Sequence, residues 1–199
     1  MERHPIPAAT HLWSEKYLTP NTVIIDRCFR VPLSYAPSSG NSESLSIFIR
    51  NAIPNKKHDD GESGSKLPYL LYLQGGPGFE CGAPGSHPVT NYLFDKGFQL
   101  LFIDQRGTGL SSVISAGSLA KKGSVAAQAA YMKHFRADNI VRDCEAIRKA
   151  LLPGGGRWSI LGQSFGGFCA VTYLSLWYVF DARVSLRSCM CVREVKQAG

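Results

Sequence analysis

The sequence predicts an α/β chain, and three observations carry that expectation. Short apolar runs recur at residues 67–73 (LPYLLYL), 98–103 (FQLLFI) and 158–161 (WSIL). A long helical pattern separates the last two, and a glycine-rich turn follows each run. Nearly continuous apolar runs of this length suit strands covered on both faces. Strand, helix and strand in alternation imply a parallel sheet with crossover helices.

Ahead of these runs, residues 23–31 (VIIDRCFRV) and 45–50 (LSIFIR) also read as strands, rich in isoleucine, valine and phenylalanine. The Ser/Gly/Asn cluster over residues 37–44 lies between them and predicts a hairpin, placed as an antiparallel edge on the sheet. Residues 55–66 (NKKHDDGESGSK) have nothing to bury and read as a solvated connection. In the helical stretch, Ile140, Val141, Cys144, Ile147 and Leu151 keep one face apolar. Arg142, Asp143, Glu145, Arg148 and Lys149 are expected to turn mostly away from the core, and residues 153–156 (PGGG) end the helix.

Composition narrows the functional classes. Of the 199 residues, 44% are hydrophobic and 19% charged, which excludes disordered and fibrous chains. The formal charge of +7 is scattered, with no basic stripe interleaved with aromatic residues, so nucleic acid is not an expected partner. Residues 1–10 hold no apolar core of signal-peptide length, and no window has the roughly 18 apolar residues of a membrane span. The expectation is a cytoplasmic protein with no membrane partner. The six cysteines lack paired metal-ligand spacing, so no metal is expected and reduced thiols are. Nothing in the residues speaks to oligomeric state.

Three motifs carry chemistry, each directly after a predicted strand. Gly162-Gln163-Ser164-Phe165-Gly166 matches G-x-S-x-G and precedes a helix-like run over 165–176. A serine hydroxyl is a weak nucleophile unless it is exposed, oriented and given a base. A tight strand-to-helix turn supplies the exposure, and Gly162 and Gly166 leave room for crossing backbones. Residues 74–79 (QGGPGF) follow the strand over 67–73. Glycines there let the backbone aim an N–H at a ligand, the requirement for the second half of an oxyanion hole whose first half is the Phe165 N–H. Gly76 is the expected second donor, with Gly75 next. Residues 104–111 (DQRGTGLS) follow the strand over 98–103, and Asp104 with Arg106 is expected to hold the two glycine loops together as structural support.

Taken together and in this order, QGGPG, DQRGTGLS and GQSFGG resemble the prolyl aminopeptidase (proline iminopeptidase) family of α/β-hydrolases. That family carries H-G-G-P-G, D-Q-R-G-S/T-G-x-S and G-x-S-W/F-G-G. The resemblance spans residues 23–175, with Gln74 standing where the family usually has histidine. It implies release of an amino-terminal proline from a peptide through an acyl-serine at Ser164, without metal or organic cofactor. An esterase or lipase of the same fold, and a non-catalytic binding fragment, remain open alternatives on these residues.

In this fold the catalytic acid and histidine follow the serine, yet all five histidines of the chain precede Ser164. The expectation is therefore an amino-terminal half of the fold, residues 1–176, with lid and later strands missing and no turnover of its own. Residues 177–199 lose the strand-and-helix texture and are expected to lie outside the fold as a divergent tail. Trp177-Tyr178-Val179 must be encoded UGG-UAY-GUN, which contains a splice-donor-like GGUAYGU, so an unspliced intron or a mispredicted exon end is the expected origin of that tail, with a genuine divergent tail as the alternative. The strand leading into Ser164 would then carry an unpaired apolar edge and promote aggregation.

Overall fold

The computed structural model describes residues 6–36, 43–55, 67–86, 89–177 and 183–187. Its strands are β1 (Thr10–Thr19), β2 (Thr22–Pro32), β3 (Ser44–Pro54), β4 (Tyr69–Leu73), β5 (Gln99–Ile103), β6 (Ser159–Gln163) and β7 (Arg183–Arg187). The helices are α1 (Thr90–Asp95), α2 (Ala116–Ala120), α3 (Val125–Met132), α4 (Ala137–Leu151) and α5 (Phe165–Trp177). All seven strands join one sheet in the order β1-β2-β3-β5-β4-β6-β7. β1, β2 and β3 pair antiparallel, and β3 meets β5 antiparallel. From β5 through β4 and β6 to β7 every pairing is parallel. The α/β expectation and the antiparallel front edge both hold.

The period of two in a strand divides the apolar residues between two cores. Ile47, Ile49, Leu71, Leu73, Leu101, Ile103 and Ile160 face the side covered by α4 and α5, where Val141, Cys144, Ile147, Cys169, Ala170 and Tyr173 meet them. Ile24, Ala52, Leu70, Tyr72, Leu100, Phe102 and Leu161 face the other side, against Leu93 and Phe94 of α1. Each aliphatic side chain wholly withdrawn from water contributes about 1.5–3 kcal/mol. These central strands carry the fold.

One element is new and two expectations are corrected. First, β1 was not foreseen at all: its sequence, THLWSEKYLT, is exposed along almost its whole length and its apolar residues follow no strand period. It is held by its ladder to β2, not by burial. Second, Asp143 and Glu145 on α4 do not turn to solvent; both are buried. Third, β7 comes from the stretch expected to lie outside the fold. It pairs with β6 from Ser159↔Arg183 to Gln163↔Arg187, so the elbow strand has a neighbour on both sides and the reasoning towards an aggregating edge no longer applies to it. The rest of the expected tail, 178–182 and 188–199, lies outside the described residues, as does the 37–42 part of the hairpin connection and residues 56–66.

Helix α4 shows why its acids are inside. Asp138 in the first turn and Arg148 and Lys149 in the last complement the helix dipole, the surface role expected of charges. Asp143 and Glu145 instead serve as buried anchors. Glu145 accepts from Arg148 at 2.8 and 2.9 Å and from the Tyr173 hydroxyl at 2.6 Å, joining α4 to α5. Burial opposes ionisation of the Glu145 carboxyl, but Arg148 and Tyr173 outweigh it and hold the group below the usual glutamate range.

Candidate active site

The carboxyl ends of β4, β5 and β6 place the three motifs side by side. β6 ends at Gln163 and α5 begins at Phe165, so a single residue, Ser164, makes the turn. Its φ is 51°, the one left-handed non-glycine backbone among the described residues. Such a conformation costs an L-residue about 1–2 kcal/mol and persists only where the surroundings impose it. Ser164 is exposed, while Gly162 before it and Gly166 after it are buried.

The reason for those two glycines is close approach. A Cβ on Gly162 would overlap the Gly166 carbonyl, and a Cβ on Gly166 would overlap the Leu73 carbonyl at the end of β4. The first turn of α5 is thereby pressed between β6 and β4. Phe168 N–H donates to the Ser164 carbonyl at 3.1 Å, which closes that turn.

The 74–79 loop lies directly against the elbow. A methyl group on Gly75 would sit 3.2 Å from the Gln163 carbonyl oxygen and 3.3 Å from Ser164 Cβ. The peptide unit joining Gly75 to Gly76 therefore starts beside the elbow. Gly76 has φ 123°, which side-chain-bearing residues rarely adopt, and its open side faces the Phe79 ring at 3.1 Å.

Asp104 and Arg106 part company. The Asp104 carboxylate accepts the Cys81 N–H and the Leu110 N–H, each at 2.8 Å, and so ties the chain just beyond the 74–79 loop to the 104–111 loop. Gly109 is needed beside it, since a Cβ there would overlap that carboxylate. Arg106 turns the other way. It grips Asp143 on α4 at 2.6 and 2.7 Å and donates to the carbonyls of Pro32, Leu33 and His134. The expectation that Asp104 and Arg106 jointly clamp the glycine loops is corrected: Asp104 links loops, whereas Arg106 fastens β5 to α4 and β2. Burial is the largest influence on the Asp143 carboxyl and lifts it above the usual aspartate range, with Arg106 and the Tyr35 hydroxyl opposing.

Two contributors escaped the sequence reading. Gln105 donates from its side chain to the Gln74 carbonyl at 3.1 Å. Tyr72, buried in β4, reaches both Gln163 and Gln74 with its hydroxyl. No spacing rule flags a tyrosine two residues before a glycine loop. Among the described residues no cluster of histidine, cysteine and acidic side chains is arranged to hold a metal ion, and no helix is long and apolar enough to cross a membrane.

A mixed sheet with an exposed serine on a strained strand-to-helix turn, faced by a glycine loop from the neighbouring strand, defines the α/β-hydrolase class. The chain belongs to that class: the family model for the alpha/beta hydrolase fold matches residues 68–184. It is similar to the proline iminopeptidase aneH of Aspergillus aculeatus, 44% identical over 154 residues, and to a proline iminopeptidase of Aeromonas sobria, 46% identical over 149 residues. Each alignment takes in 75% of this chain and 33% of the relative, so the chain spans about a third of their length. Among solved structures, potato (Solanum tuberosum) epoxide hydrolase I aligns with a TM-score of 0.47 at 17% identity, over 72% of this chain and 36% of that one.

Proposed function

We propose that the chain carries the nucleophile and oxyanion half of a serine aminopeptidase that releases an amino-terminal proline from peptides. The observation that supports it most is the close approach of the Gly75 backbone to the elbow, where an added Cβ would lie 3.3 Å from Ser164 Cβ, together with the left-handed φ at Ser164. Ser164 Oγ would attack the carbonyl carbon of the prolyl residue. The carbonyl oxygen, as it gains charge, would be met by the N–H groups of Gly76 and Phe165, the latter also at the positive end of the α5 dipole. Collapse of that intermediate would expel the peptide amine and leave an acyl-serine, which water then hydrolyses. Gly75, Gly162 and Gly166 support the site by permitting close approach, Asp104 by holding the loops and Arg106 by anchoring β5. Neither metal nor organic cofactor enters these steps, and the expected setting is the cytoplasm. The base must come from a histidine following the serine in chain order. None follows Ser164 in these 199 residues, so by themselves they are expected to give no turnover.

A chimera tests the assignment. Residues 23–175 would replace the matching stretch of the Aspergillus aculeatus enzyme, which supplies the remainder of the fold. The expected result is release of proline from a prolyl arylamide, with aryl esters of short acids turned over more slowly. A folded chimera that cleaves the esters and leaves the arylamide untouched favours an esterase. One that cleaves neither makes this stretch a binding module.

A further inference from the structure

We propose that Tyr72 is a positioning residue whose hydroxyl tethers the two loops of the site to each other. Tyr72 lies on β4, 2% exposed, with its ring 5.8 Å from that of Phe102. It pairs with Leu161 of β6; two residues further along come Gln163, the last residue of β6, and Gln74, the first residue beyond β4. The Tyr72 hydroxyl directs its one proton between Gln163 Oε1 at 2.5 Å and Gln74 Oε1 at 3.2 Å, a three-centre bond weighted towards Gln163. Gln163 immediately precedes Ser164, and Gln74 immediately precedes Gly75 and Gly76. One hydroxyl is therefore shared by the two residues that lead into the nucleophile and into the glycine loop.

The chemistry explains why tyrosine stands there and not phenylalanine. The ring fills the apolar layer with Phe102 and Leu161, which phenylalanine would do equally well. A hydroxyl at the top of such a layer costs desolvation unless it is bonded, so its presence needs an acceptor within reach, and the two glutamine oxygens supply it. Burial, with the nearby Cys81 thiol adding to it, pushes the Tyr72 phenol up to about 12, so the hydroxyl keeps its proton and remains a donor at neutral pH. The Gln105 bond to the Gln74 carbonyl restrains the same loop from its other side. Within a hydrogen-bonded pair of strands the ladder fixes Leu73 against Gly162, but it ends there. Beyond that point the tether continues the registration into the turns.

The functional meaning of the tether rests on the assignment of Ser164 and the 74–79 loop to one reaction site. Isotope-labelled 199-residue chain would be compared with Tyr72→Phe, Gln163→Leu and a control, Tyr173→Phe, which removes another buried hydroxyl on the opposite face of the sheet. Amide exchange with solvent is read at Gly75, Gly76 and Phe165. Tyr72→Phe and Gln163→Leu are each expected to speed it about fivefold, the factor that corresponds to one net hydrogen bond of about 1 kcal/mol. Tyr173→Phe should leave these amides unchanged. Unaltered exchange in folded Tyr72→Phe and Gln163→Leu overturns the tether. Gln163 is exposed, so its variant decides the matter should Tyr72→Phe fail to fold. Covalent labelling of Ser164 in the chimera by a fluorophosphonate reports separately on the reaction site. Labelling with unaltered exchange rejects the tether alone, whereas faster exchange without labelling keeps the tether and rejects the site.

Discussion

Substituting alanine for Gly166 is expected to cost about 4 kcal/mol or more, a large share of the roughly 5–15 kcal/mol that holds a typical domain folded. The added Cβ would occupy the space of the Leu73 carbonyl oxygen, with the Gln74 carbonyl also within 2.8 Å. Both obstacles are backbone, one of them locked in the β4 ladder, so no side-chain rotation relieves the overlap. Either α5 lifts off β4 or the ladder opens. Gly78 offers the control, having φ 95° with nothing within 4 Å of its Cβ position. Alanine there meets only the strain of a left-handed backbone, about 1–2 kcal/mol. Urea midpoints of the two variants measure the difference. Equal losses would mean that packing against β4 is not what selects glycine at 166.

Replacing Arg106 by alanine should destabilise the chain by about 3–5 kcal/mol, the cost of leaving a buried charge without its partner. Arg106 and Asp143 have side-chain exposures of 0% and 2%, and five of the arginine's bonds are lost at once. The pH dependence follows in sign. Without the guanidinium the Asp143 carboxyl rises further above its already raised position, so the folded variant binds a proton that the unfolded chain releases. Stability of the variant then falls as pH rises from the ordinary aspartate value of 3.8 up through the folded one. The loss relative to the parent chain is therefore expected to be smaller near pH 4 than at pH 7, as urea titrations at the two pH values would show. A loss independent of pH would place the cost in packing and in the bonds to Pro32, Leu33 and His134 instead.

These two positions also show which parts of the molecule the sequence discloses. The central strands were legible because strands covered on both faces must be apolar throughout, and residues 67–73, 98–103 and 158–161 are. The elbow was legible because close approach and a left-handed turn restrict the residue types allowed, leaving glycine at 162 and 166. Asp143 and Glu145 misled because a helical wheel assigns charge to solvent, and only tertiary partners such as Arg106 and Tyr173 reveal the exception. β1 was invisible because an exposed edge strand buries almost nothing and so leaves no period. Tyr72 read as one more apolar residue in LPYLLYL, its polar end being meaningful only once β6 lies alongside. Asp104 was placed correctly at the loops, but its partners are main-chain N–H groups of Cys81 and Leu110, which carry no side-chain signature.

Locating the phosphonyl group after fluorophosphonate treatment of the chimera tests the central claim most directly. Peptide mass mapping should find it on Ser164, and Ser164→Ala should abolish both the adduct and at least about a thousandfold of the arylamide turnover. An adduct on another residue, or turnover that survives the alanine, would contradict the account.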